Sequence, residues 1–147
     1  MEYKILLVLH LLGSSVWVGG HLILATTILP RALKLHDPEL LRQFESRYEK
    51  IGIPALLLQI VTGLRLVYNY TDNLFDVFDF GYSQHTFIAL KIILLLVTVV
   101  IAAHARIRLI GKLKEESMAF LAAHIITITI IGIAILFFGT GIRIGNW

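Results

Sequence analysis

Apolar residues in this chain gather into four long runs, near 4–29, 52–70, 85–105 and 118–139, and polar residues are confined between them. A helix needs about 20 apolar residues to cross about 30 Å of hydrocarbon, so each run is long enough to span a membrane. The pattern predicts an all-α fold, an integral membrane four-helix bundle, over a single domain of 147 residues. Pro30 is expected to close the first helix. Asp37-Pro38-Glu39 reads as an N-cap followed by proline at the first helical position. Beyond it Leu40, Leu41, Phe44 and Tyr48 keep helical spacing with charges between them. This predicts an amphipathic segment over 38–50, running into the second span through a bend at Gly52 and Pro54. There is no internal repeat, low-complexity tract or linker, so the chemistry must sit inside the bundle or at its mouths.

Composition narrows the classes further. Hydrophobic residues make up 57% and charged residues 16%, which excludes an ordinary soluble domain of this size. The chain has no cysteine, which removes thiolate zinc, iron–sulfur clusters, covalently attached haem and disulfides. The start, Met1-Glu2-Tyr3-Lys4 before a long apolar run, reads as a retained first helix without a cleavage site. Nine basic residues fall between spans 1 and 2 (Arg31, Lys34, Arg42, Arg47, Lys50) or between spans 3 and 4 (Arg106, Arg108, Lys112, Lys114). The opposite side holds Lys4 and Arg143. The positive-inside rule therefore makes two basic cytoplasmic loops and puts both termini outside. Net charge of +3 is a topology signal, with no nucleic-acid partner implied. The loop between spans 2 and 3 carries Asp72, Asp76 and Asp79, and its Phe75, Phe78, Phe80 and Tyr82 suit an interfacial cap.

Histidines carry the candidate chemistry. His10, His21, His85, His104 and His124 lie in or at the edges of the spans, where an imidazole must be bonded, ligating or in a wet cavity. Metal and haem iron are what such side chains commonly collect. His10 and His21 are about 16 Å apart on one face of helix 1, with Trp17 between, so that face offers a ligand in each leaflet. His21 and His124 match in depth on the cytoplasmic side, His104 lying nearer the surface as the substitute ligand. On the outer side His10, His85, Lys91 and Arg65 are expected to converge. A cation there has a use, since Arg and Lys neutralise the carboxylates of haem propionates or an anionic substrate. Gly13, Gly20, Gly63 and Gly132 are places for a macrocycle to approach, or for helices to pack closely. His36, in a charged loop, is read as solvated, and Thr127 and Thr129 as bonded back to their own helix.

The stretch His10-Leu-Leu-Gly-Ser-Ser-Val-Trp17-Val-Gly-Gly20 resembles the first helix of the copper-resistance D (CopD) family's membrane domain. Leu29-Pro30-Arg31, Phe44-Glu45-Ser-Arg47 and Pro54-Ala55 with Gly63-Leu64 are similar to the related HemJ-type protoporphyrinogen oxidase family. That resemblance implies functional roles for His10 and Lys91. Two features depart from the oxidase branch. His85 precedes Lys91 by six positions, where that branch has a His two before its lysine, and the polar Asn, Glu and Pro motif of its fourth helix is missing, with His124 present instead.

These readings together give the expectation of a multi-pass protein of a bacterial or archaeal inner membrane that binds b-type haem, one or two. It would act in electron transfer or in oxidation of a small membrane-soluble reductant, with a quinone-like molecule as redox partner. Enzymatic activity and homo-oligomerisation are left open. The alternative is copper transport or homeostasis through the same histidines, although the only sulfur ligands are Met1 and Met118 and a Cu(I) path favours soft donors.

Overall fold

The computed structural model describes residues 1–144, the side chains of 143 and 144 excepted, so the side chain of Arg143 lies outside the described residues. Four helices account for nearly all of it: α1, Glu2–Leu35; α2, Pro38–Val67; α3, Ser83–Lys112; and α4, Met118–Ile144, entered through a 3₁₀ turn at Glu115–Ser117. All four are long and apolar enough to cross a membrane. Large apolar side chains such as Leu12, Leu57, Val61, Val100 and Ile130 point outward. Lipid is as apolar as they are, so burying them against protein gains little, and the interior instead collects small and polar residues.

α1 packs along α2 and α3 along α4, and the two hairpins join through α1 against α4. Among the described residues no comparable backbone contact closes the fourth side, between α2 and α3. The end of the bundle with the α1–α2 and α3–α4 connections, the basic end, is knit by Leu24, Leu29, Leu41, Leu113, Met118 and Leu121. The end with the α2–α3 loop is held by Val67, Val77, Ile88 and Ala89. In that loop a 3₁₀ turn, Leu74–Phe78, leaves Phe75, Phe80 and Tyr82 exposed, as an interfacial cap requires.

One proline expectation is corrected. Pro30 does not end α1, which continues to Leu35. A π turn at Leu24–Ile28 interrupts the hydrogen-bond register, the α-helix restarts at Leu29, and Pro30 falls in the first turn, where its missing N–H costs nothing. The amphipathic segment runs into the second span as one 30-residue helix with Pro54 inside it. The cap expectation holds: Asp37 is extended and its carboxylate accepts from the Glu39 amide at 2.9 Å. His36 ends α1 in the left-handed conformation, φ 53°. A second π turn, Ala105–Leu109, lies in α3 directly after His104.

Candidate functional site

A cavity of about 280 Å³ lies between the hairpins towards the basic end, lined by side chains from all four helices. Its deeper wall is apolar, from Leu24, Leu56, Val99, Ala102, Ile125 and Ile128. Its polar wall is Trp17 and His21 from α1, Glu45, Tyr48 and Glu49 from α2, Arg106 from α3 and His124 from α4. Arg106 closes the weak α2–α3 side. Its Nε and Nη2 meet the Glu49 carboxylate at 3.0 and 2.9 Å, the two-pronged geometry that a guanidinium is shaped for.

His21 is buried, and its Nδ1 is 2.9 Å from the Trp17 carbonyl. A carbonyl only accepts, so Nδ1 carries the proton and Nε2 keeps its lone pair. The same reasoning runs through the pair on the other hairpin. His124 Nδ1 donates to the Phe120 carbonyl at 2.9 Å, so its Nε2 accepts from His104 Nδ1 at 3.0 Å. The two rings are stacked with centroids 5.1 Å apart. His104 is thereby left with a basic Nε2. Fixing one imidazole nitrogen through a backbone or neighbouring group so that the other can ligate is how metal-binding histidines are oriented.

His21 and His124 thus line one cavity, as their matched depth suggests, but they do not touch. The His21 carbonyl accepts from Thr129 at 3.3 Å. His124 lies five residues, about 7.5 Å, nearer the basic end along α4. Each ring is bonded to the carbonyl four residues before it. The helices run in opposite directions, so the rings bend away from one another. His104 is the residue that meets His124. Thr129 also bonds back to the Ile125 carbonyl at 2.8 Å, as expected of a membrane threonine.

On the opposite half the expected four residues go to different places. His10 spans to α2, its Nδ1 2.9 Å from the Gln59 carbonyl and 3.2 Å from Thr62 Oγ1. His85 Nε2 donates to the Tyr70 carbonyl at 3.3 Å, leaving Nδ1 buried without a partner. Lys91 reaches α4, where a methyl group on Gly139 would lie 3.2 Å from its Nζ. Arg65 faces outward, paired at 2.8 Å with Glu2, because an exposed carboxylate at the start of α1 satisfies it more cheaply than a buried cluster would. Of the glycines that could admit a macrocycle or serve close packing, three are packed against protein and Gly132 meets Val18 at ordinary contact distance. Gly20 faces the Tyr48 ring, Gly63 the His10 ring and Gly13 the Ala55 carbonyl. His36 is exposed but pairs with Glu115 at 2.7 Å.

Among the described residues no three His, Asp or Glu side chains stand close enough together to hold a metal ion without rearrangement. Sequence reasoning missed Glu45, Tyr48, Glu49 and Arg106. The available signal was spacing: Glu45 and Glu49 are one helical turn apart, and Arg106 follows His104 by two.

A family model described as copper resistance protein D matches residues 42–142, which takes in all of the cavity's α2, α3 and α4 walls. No curated protein and no solved structure matches the chain.

Proposed function

The chain belongs to the copper resistance protein D family, and from that premise we propose that it is a multi-pass membrane protein of copper homeostasis. Copper is its cargo, taken up by imidazole nitrogen in the half of the bundle nearest the basic loops. The observation that carries this reading is the hydrogen-bond chain from His104 through His124 to the Phe120 carbonyl. It leaves the exposed His104 with an unprotonated Nε2, held through His124 to a cavity in which His21 presents a second unprotonated Nε2. Imidazole suits copper, and the Glu45 carboxyl, which burial pushes up to about 7, can release its proton to offset the charge of an entering cation, while Glu49 is already paired with Arg106. His10, on the same face of α1 in the other leaflet, is the next station of a path across the membrane. The positive-inside rule, applied to the nine basic residues, supports a cytoplasmic basic end, and an inner membrane of a bacterium or archaeon suits that orientation.

A second reading, haem b, draws on the imidazoles that line this cavity, which would have to widen to admit a macrocycle. The cavity is bounded by imidazoles of two antiparallel helices, and its volume lies near the lower limit of ligand pockets, about 300 Å³. His21 would offer its free Nε2 to the iron, and His124 would ligate only by giving up the bond that its Nε2 accepts from His104; haem would supply one-electron transfer between a donor and an acceptor.

Metal analysis of the purified protein, with absorption spectra of its oxidised and dithionite-reduced forms, separates the two. Copper retained by the wild type and lost in His104→Ala and His21→Ala supports the first. Stoichiometric iron with a haem spectrum overturns it in favour of the second. Neither metal, after loading with copper or haemin, overturns both.

A further inference from the structure

Tyr48 is held in a slot that two other helix positions keep clear. A methyl group added to Gly20 of α1 would strike its ring, and one added to Gly52 of α2 would come within 2.8 Å of its Cε1. From that slot its hydroxyl reaches across to α1, forking between the Val16 carbonyl at 3.1 Å and the Trp17 carbonyl at 2.8 Å. The Trp17 carbonyl is the same oxygen that receives His21 Nδ1–H. The Tyr48 ring also stands edge-on to His21, centroids 5.8 Å apart, while Trp17 packs on His21 at 4.4 Å and Phe44 backs Tyr48 at 5.5 Å.

We infer that Tyr48 is a positioning residue for His21. It pins the acceptor that fixes the His21 tautomer and walls the ring, so that Nε2 is the nitrogen presented to the cavity. The packing alone needs only the aromatic ring. A phenol is required only if the two α1 carbonyls are to be held from α2. Burying a hydroxyl inside a membrane bundle is favourable only when it is bonded, and here its bond goes to the histidine's own partner. Outer partners of this kind change metal affinity by about 10- to 100-fold when removed.

The inference rests on the copper reading for its affinity arm alone, and the test has a second arm that does not. Tyr48→Phe deletes one oxygen and keeps the ring in its slot. Protein labelled with ¹⁵N-histidine gives imidazole nitrogen signals, and His21→Ala identifies those of His21. In the wild type His21 is expected as a single Nδ1–H tautomer; in Tyr48→Phe a second tautomer or exchange broadening is expected at that residue alone. Copper affinity, titrated on the same samples, is expected to fall about 10-fold, the low end of the range for outer partners. Unchanged His21 nitrogen signals overturn the inference, as does an affinity within twofold of a copper-binding wild type. If the wild type binds no copper that His21→Ala removes, the copper reading fails while the nitrogen signals still decide the role of Tyr48.

Discussion

Replacing Gly13 with alanine measures how tightly α1 and α2 are joined. The added methyl group would lie 2.8 Å from the Ala55 carbonyl oxygen and 3.3 Å from Gln59 N and Cβ. Ordinary contact begins near 3.4 Å, so the helices must part by roughly 0.6 Å, because a helix carbonyl cannot swing aside as a side chain can. The same seam carries the 2.9 Å bond from His10 to the Gln59 carbonyl. Stretched by that amount, it passes beyond the ordinary limit of about 3.2 Å. Overpacking costs about 1–3 kcal/mol and the lost bond about 1 kcal/mol net, so a destabilisation of about 2–4 kcal/mol is expected. Gly19→Ala is the control. No heavy atom lies within 4 Å of its added carbon, and alanine is the better helix former by up to about 1 kcal/mol. Reversible unfolding in mixed micelles, titrated with a denaturing detergent, reads both variants. If they agree within about 0.5 kcal/mol, α1 and α2 do not meet as described and the His10 placement falls with them.

Two further predictions concern the bundle's weak side and its orientation. Arg106→Gln is expected to cost below about 1 kcal/mol, since the Glu49 and Arg106 side chains are 30% and 54% exposed. It should still admit reagent to the cavity: a cysteine at Ala102, in a chain with no other thiol, should react faster with a maleimide than in the Arg106 protein, and equal rates would remove the ion pair's closing role. A reporter fused at the C-terminus should be active only as a periplasmic or extracellular reporter, and one inserted near Lys112 only as a cytoplasmic one; the reverse pattern exchanges the two leaflets.

The four spans were legible because membrane burial writes itself as unbroken apolar length, a signal that does not depend on which residues touch. Pro30 misled for a physical reason. Proline's cost depends on whether its missing N–H had a partner to lose, and a π turn four residues earlier removes that cost at Pro30. Shared depth put His21 and His124 on one cavity, yet rise per residue carries no information about ring direction, which is set by the carbonyl that each ring finds on its own helix. Arg65 was read as an interior cation because its span is apolar; Glu2, on another helix, could be seen as its partner only once α1 and α2 were paired. Glu45, Tyr48 and Glu49 sit in the stretch whose charges suggested a solvated face. Their inward placement depends on α2 being one continuous helix beside α1.

The π turns carry a consequence for counting along this chain. Buried positions in α1 run Val18, His21, Leu24, then Leu29 and Ala32, so the interval across Leu24–Ile28 is five where a continuous α-helix would take three or four. The same five-residue step separates Ala105 from Ile110 in α3. Each hairpin therefore contains a one-residue phase slip shortly after a histidine, His21 in α1 and His104 in α3. Deleting one residue within either π turn should relax it to regular α-helix with both flanking stripes still facing inward. A periodicity drawn from the first half of α1 points to the wrong side of its last two turns.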